Sequence, residues 1–173
     1  LKNKANISSK TGKIPVIKYL SARNIKKKRG FKISKFKWVK KPLDLTKFKD
    51  VDIIVELIGG SDGIAKKLVF AALKNKIHVI TANKALMAKH GDQLANLAEK
   101  NHVNLEYEAS VAGGVPIIRA IKEGLILNKI SKIYGILNGT TNFILTSMES
   151  KKKNFNDVLD DAKKLGFAET NPA

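Results

Sequence analysis

Four short clusters of small, polar and basic residues stand where the chain leaves its β-rich runs. Ser21-Ala22-Arg23 follows Leu20, Gly59-Gly60 follows Ile58, Ala82-Asn83-Lys84 follows Thr81, and Ser110 to Gly114 follows Ala109. In an open parallel sheet, ligands collect outside the carboxyl ends of the strands. Glycine lets backbone approach a ligand closely, amide and ammonium groups donate hydrogen bonds, and a guanidinium grips phosphate. Together these groups suit a cofactor crevice. Each also has a plain alternative: Gly59-Gly60 as a tight turn, Asn83 as a helix cap, and Arg23 as a solvated base in a basic region.

The elements that must position these clusters follow from hydrophobic period. Ile14 to Leu20, Phe36 to Val39, Val51 to Ile58, Ile77 to Thr81, Val103 to Ala109 and Ile130 to Leu137 read as strands. The 51–58 run is β-branched and nearly continuous in apolar content, as in a buried parallel strand. Between strands the period lengthens: Ile64, Ala65, Leu68, Val69, Ala72 and Leu73 share one helical face, with Ser61 a candidate cap. A second helix follows Asn83, with a break expected at Gly91. Pro116 suits the first turn of a helix reaching about Leu127, the 138–142 segment reads as a loop before a helix over 143–150, and a last helix starts at Asn156 or Asp157 and ends at Gly166. This alternation predicts an α/β fold, a Rossmann-like parallel sheet followed by the start of an α+β domain, with a boundary near Gly113. His78 is expected to be a packed strand residue, and His90 and His102 surface residues.

The chain has 173 residues, 33 Lys and Arg against 15 Asp and Glu, a net charge of +18, and no cysteine. The absent cysteine removes disulfides, Cys-ligated zinc and a thiolate nucleophile. No apolar stretch is long enough to span a membrane, and no leader pattern opens the chain. A cytoplasmic protein that binds neither membrane nor nucleic acid is expected. The charge is uneven: residues 1–50 carry 17 bases and two acids, while 51–173 carry 16 bases and 13 acids. Only Arg23, Arg29 and Arg119 are arginines, and aromatics make up 6%. Base readout favours Arg, and single-strand binding favours stacked aromatics, so a lysine-rich solvated surface accounts for the charge better than a nucleic-acid module does.

No G-x-G-x-x-G occurs, although a dinucleotide fold places that loop after its first strand. The chain opens at Leu1 and closes at Asn171-Pro172-Ala173, and reads as a fragment. The strand ending at Leu20 would then be the second of the sheet. Arg23 beyond it, where an NAD site wants an acid, suits the 2′-phosphate of NADP.

The ordered motifs Val55-Glu56-Leu57-Ile58-Gly59-Gly60, Thr81-Ala82-Asn83-Lys84-Ala85-Leu86, Glu108-Ala109-Ser110-Val111-Ala112-Gly113-Gly114-Val115-Pro116, Gly135-Ile136-Leu137-Asn138-Gly139-Thr140-Thr141-Asn142 and Gly166-Phe167-Ala168-Glu169 resemble the successive signatures of the homoserine dehydrogenase family. The resemblance runs in register from about residue 51 to 173 and more weakly over 1–50, at Ser21-Ala22-Arg23-Asn24. It implies NAD(P)-dependent interconversion of L-aspartate 4-semialdehyde and L-homoserine, leading to threonine and methionine. Residues 1–113 would form the NAD(P)-binding domain and 114–173 the beginning of the catalytic domain.

The resemblance also implies roles. Lys84 would stand beside nicotinamide and substrate, as the catalytic residue among these positions. Arg23, Ile58, Gly59, Gly60, Thr81, Asn83 and Gly166 would contact NADP, or NAD. Glu169, Asn138, Gly139, Thr140 and Thr141 would contact a small-molecule substrate. Glu108, Val111, Gly113 and Val115 would hold a monovalent cation such as sodium, mainly through backbone carbonyls. The whole protein would be a homodimer. The family's glycine-rich loop and its general-acid lysine would lie before Leu1 and after Ala173, so the 173-residue piece alone is expected to be inactive. Related aldehyde dehydrogenases that use a cysteine thioester fit less well, because this chain has no cysteine. A basic nucleic-acid-binding module and a non-catalytic relic of the fold are the competing readings.

Overall fold

The computed structural model describes residues 3–111, 113, 115–135 and 138–168. It divides into two compact units, residues 1–124 and 125–173.

The first unit opens with helix α1 (Lys4–Thr11), which buries no side chain and ends at Gly12 in the left-handed conformation. Two parallel strands follow, β1 (Tyr19–Leu20) and β2 (Lys37–Trp38). A 3-10 helix over Pro42–Lys47 leads to β3 (Ile53–Glu56), α2 (Ile64–Lys74), β4 (His78–Thr81), α3 (Lys84–Lys100) and β5 (Leu105–Glu106). The three later strands form a parallel sheet in the order β3-β4-β5. This βαβαβ arrangement, with the β1-β2 pair before it, is the Rossmann-like α/β class expected from the alternation. Short helices α4 (Glu108–Val111) and α5 (Ile117–Arg119) close the unit, and α5 runs into a π-helical turn over Ala120–Gly124.

Why α2 forms is plain from its spacing: Ala65, Leu68, Val69, Ala72 and Leu73 make one apolar stripe and all are buried. Leu68, Val69, Ala72 and Leu73 pack with Leu86, Leu94 and Ala98 of α3 over Ile54, Val79 and Leu105 of the sheet. The alternate strand residues Ile53, Val55 and Ile80 face the other way and are exposed. The 51–58 run therefore has one covered face, because among the described residues α2 and α3 supply its cover and both pack on the same core.

The second unit contains α6 (Gly139–Lys151) and α7 (Phe155–Lys164). Ile144 of α6 packs with Val158 and Ala162 of α7, and Phe143 stacks on Phe167 with centroids 4.7 Å apart.

Several expectations change. The 14–20 strand shrinks to two residues: Pro15 has no N–H to donate, and Ile14, Val16 and Ile17 stand exposed. Residues 130–135 form no ladder and are exposed, while 136 and 137 lie outside the described residues. Helix α3 runs unbroken through Gly91, because buried Leu86, His90, Leu94 and Ala98 on either side outweigh a glycine cost of about 1 kcal/mol. His90 is thus 8% exposed rather than a surface residue. It lies one turn from Leu86 and one from Leu94, on the face turned to the core. Gly63, not Ser61, precedes α2 as its cap residue. No described helix is long and apolar enough to cross a membrane.

Candidate functional site

The carboxyl ends of β3 and β4 carry the most developed cluster. Glu56 and Thr81 are register partners at the last positions of the two strands. Both side chains are buried, at 1% and 0% exposure. The Thr81 hydroxyl donates to Glu56 Oε2 at 2.6 Å, and Ile58 N–H and Gly59 N–H donate to Oε1 at 2.5 and 3.2 Å. Thr81 Oγ1 in turn accepts the Asn83 N–H at 3.0 Å.

Asn83 does two jobs. Its side-chain oxygen caps α3 by accepting the Leu86 N–H at 3.0 Å, and its amide donates to the Gly60 carbonyl at 2.8 Å. The cap reading of Asn83 holds, and the same side chain ties the start of α3 to the glycine loop after β3. Leu57, Ile58, Gly59, Ala82 and Asn83 line a cleft of about 160 Å³. Gly59 and Gly60 have φ of +86° and +81°, so the loop needs glycine there. Nothing approaches within 4 Å of the place a side chain would start at either one, which leaves bare backbone facing open space. Lys84 is exposed at the first position of α3.

Beside this cluster, Asp62 gathers the start of α2 and the middle of α3. Lys89 Nζ lies 2.7 Å and His90 Nε2 3.1 Å from its carboxylate. These two partners and the Ser61 hydroxyl hold the Asp62 carboxyl well below the usual carboxylate range, with the Lys89 hydrogen bond the largest cause.

At the end of β1, Arg23 is exposed in the following loop. Ser21 Oγ is buried there without a hydrogen-bond partner. An orphaned hydroxyl at a strand's carboxyl end fits a ligand that brings its own polar atom. Arg29, in contrast, folds back on its own loop. Its guanidinium donates to the carbonyls of Lys27 and Asn24, both at 2.9 Å, and lies 5.8 Å from the Trp38 ring centroid. One charge of the basic run is thus spent on holding its own loop.

Glu108 and Val111 belong to α4, with Gly113 (φ +66°) just beyond. Both Glu108 oxygens accept backbone N–H groups, from Ile118 at 2.9 Å and Arg119 at 3.0 Å. Each oxygen keeps a further lone pair, so the carboxylate suits a hard monovalent cation without losing those bonds. Among the described residues no group of three or more His, Cys, Asp or Glu gathers as for a metal ion.

In the second unit, residues 139–142 are the first turn of α6 rather than a loop. Asn138 is the reason: its side-chain oxygen accepts the Thr141 N–H at 3.0 Å and starts the helix early. The Thr140 hydroxyl donates to the Phe167 carbonyl, which brings the 138–141 turn beside Gly166, itself at φ +79°. Glu169 lies outside the described residues. The residue that the sequence reading passed over is Glu56. Its signal was present: an acid on the buried parity of an otherwise apolar strand, where it must find partners.

Comparison with known proteins assigns the chain. A family model for the homoserine dehydrogenase NAD binding domain matches residues 6–108, and one for homoserine dehydrogenase matches 116–173. Homoserine dehydrogenase of Neisseria gonorrhoeae is 52% identical over 135 residues, which is 78% of this chain and 31% of that protein. The Bacillus subtilis homoserine dehydrogenase is 44% identical over 156 residues, 90% of this chain and 36% of that protein. The chain thus spans about a third of the length of these relatives. A homoserine dehydrogenase structure from Thiobacillus denitrificans superposes with a TM-score of 0.84 at 39% identity, covering 99% of this chain and 39% of that one. A hyperthermophilic archaeal homoserine dehydrogenase in complex with NADPH superposes at 0.66 and 29% identity, covering 99% of this chain and 48% of that one. With the two family models matching residues 6–108 and 116–173 and these relatives in agreement, this chain belongs to the homoserine dehydrogenase family.

Proposed function

We propose that the protein interconverts L-aspartate 4-semialdehyde and L-homoserine, a step toward threonine and methionine, and prefers NADP to NAD. The observation that carries this reading is the paired loops at the carboxyl ends of β3 and β4. They are bound to each other through Asn83 and Gly60 and present bare glycine backbone to open space. Such a surface fits a nicotinamide cofactor at the place an open parallel sheet offers it. The bound cofactor supplies or accepts the hydride at the substrate's C4.

The chain's own residues then have these tasks. Ile58, Gly59, Gly60, Thr81 and Asn83 form the wall on which the cofactor lies. Arg23 pairs with a 2′-phosphate, and the orphaned Ser21 hydroxyl gains a partner from the same end of the cofactor. Lys84 donates a hydrogen bond to the oxygen that changes between aldehyde and alcohol, which stabilises its developing charge. Asn138, Gly139, Thr140 and Thr141 face the substrate, Gly166 contacts the cofactor, and Glu169 holds the substrate ammonium. Glu108, with backbone carbonyls of Val111, Gly113 and Val115, holds a monovalent cation such as sodium.

We further read residues 1–113 as the cofactor domain and 114–173 as catalytic. The protein would act as a cytoplasmic homodimer, and these 173 residues alone would be inactive. Purified full-length protein should reduce NADP⁺ in the presence of L-homoserine, followed by the absorbance of NADPH. Failure to do so with both NADP⁺ and NAD⁺, in sodium-containing buffer, would overturn the assignment.

A further inference from the structure

We infer that Glu56 is a positioning residue that turns the 57–60 loop into an acceptor surface for the nicotinamide riboside half of the cofactor. The inference rests on the cofactor reading above and goes beyond it, since Glu56 itself is buried at 1% exposure and out of reach of any ligand.

The argument starts from the peptide unit. Ile58 N–H and Gly59 N–H both point at Glu56 Oε1. Among the described residues no peptide bond is cis. In a planar trans peptide the carbonyl points opposite to the N–H on the same unit. The carbonyls of Leu57 and Ile58 therefore point away from the carboxylate. A glycine loop after a strand commonly offers N–H groups to phosphate. Here two of those donors are consumed from behind, and carbonyls are left for whatever lies outside. Such a wall favours neutral donors, ribose hydroxyls or a carboxamide NH₂, and disfavours a pyrophosphate.

Glu56 also fixes where this wall stands. Its second oxygen takes the Thr81 hydroxyl, Thr81 Oγ1 takes the Asn83 N–H, and Asn83 returns to the Gly60 carbonyl. The bonds close a ring through both crevice loops. Three donors satisfy the buried carboxylate, and without them its burial would be costly.

The test measures the affinity of full-length wild-type protein and Glu56→Ala, Glu56→Asp and Glu56→Gln variants for two probes. One is the whole reduced cofactor that the wild type binds. The other is its adenosine half, 2′,5′-ADP for NADPH or ADP for NADH. Glu56→Ala and Glu56→Asp should weaken the whole cofactor by about tenfold or more, and leave the adenosine half within about twofold. Asp keeps the charge but is too short to reach both loops, so it carries the comparison if the Ala variant does not fold. Glu56→Gln should stay within about threefold of wild type, because its Oε1 still accepts from Ile58 and Gly59. Equal weakening of both probes, or unchanged affinity for the whole cofactor, would overturn the inference and leave the cofactor reading intact. A wild-type protein that binds neither NADPH nor NADH would overturn the cofactor reading itself.

Discussion

The phenolic hydroxyl of Tyr19 donates to the carboxylate of Asp50, with its oxygen 2.9 and 3.1 Å from the two carboxylate oxygens. Tyr19 belongs to the two-stranded sheet, and Asp50 lies three residues before β3 of the other. The contact ties one sheet to the approach of the next. Stacking of Tyr19 on Phe48, with centroids 4.4 Å apart and rings 3° from parallel, holds the phenol in place. Lys18 Nζ adds a contact to Asp50 at 3.2 Å.

That tie makes stability depend on pH in a defined window. Tyr19, and secondarily Lys18, hold the Asp50 carboxyl below its ordinary range, so its contribution is lost as pH falls from about 4. The same hydrogen bond raises the Tyr19 phenol, so its contribution is present below about pH 10 and lost above it. Tyr19→Phe should lower Tm by on the order of 1–3 °C between these limits. The difference from wild type should close toward either end. Melting curves across pH check this, and an undiminished difference at about pH 3 would contradict it.

Leu73 is fully buried between α2, α3 and the sheet. Leu73→Ala should cost about 2–5 kcal/mol. Denaturant unfolding measures it, and a loss below about 1 kcal/mol would mean that this core is looser than its burial implies.

Arg23→Glu separates a phosphate contact from a solvated base. The substitution should weaken NADPH by about tenfold or more while NADH changes by about twofold or less. Titration with both cofactors decides, and equal loss for the two would return Arg23 to the solvated surface.

Lys84→Ala should lower kcat by about 100-fold or more, the scale seen when a donor to a developing oxyanion is removed. The measurement is steady-state homoserine oxidation by the full-length variant. Wild-type turnover would remove Lys84 from the reaction.

The sequence was most legible where local and tertiary signals agree. The stripe from Ala65 to Leu73 gave α2, and the Thr81-Ala82-Asn83 junction gave both a strand end and a cap. It misled where cover depends on distant chain. Nothing local to Ile14–Ile17 says that the ladder to β2 begins only at Lys18, whose carbonyl accepts the Lys37 N–H. Nothing at Gly91 shows that Leu86 and Leu94 are buried firmly enough to carry the helix past it. The burial of His90 is hidden from the local sequence for the same reason. The five ordered motifs from Val55–Gly60 to Gly166–Glu169 carry the family resemblance, but the role of Glu56 needs the register that sets it beside Thr81.

The two glycines after β3 have room for a side chain but no comfortable backbone for one. Selection at Gly59 and Gly60 therefore acts on dihedral angle rather than on volume. Replacing either with alanine meets no steric clash, yet forces a left-handed residue at about 1–2 kcal/mol. Asn and Asp, which visit that region more readily, are the substitutions this loop would tolerate in a drifting lineage. A survey that scores positions only by packing would class the loop as permissive, when its freedom is already used up in its torsions.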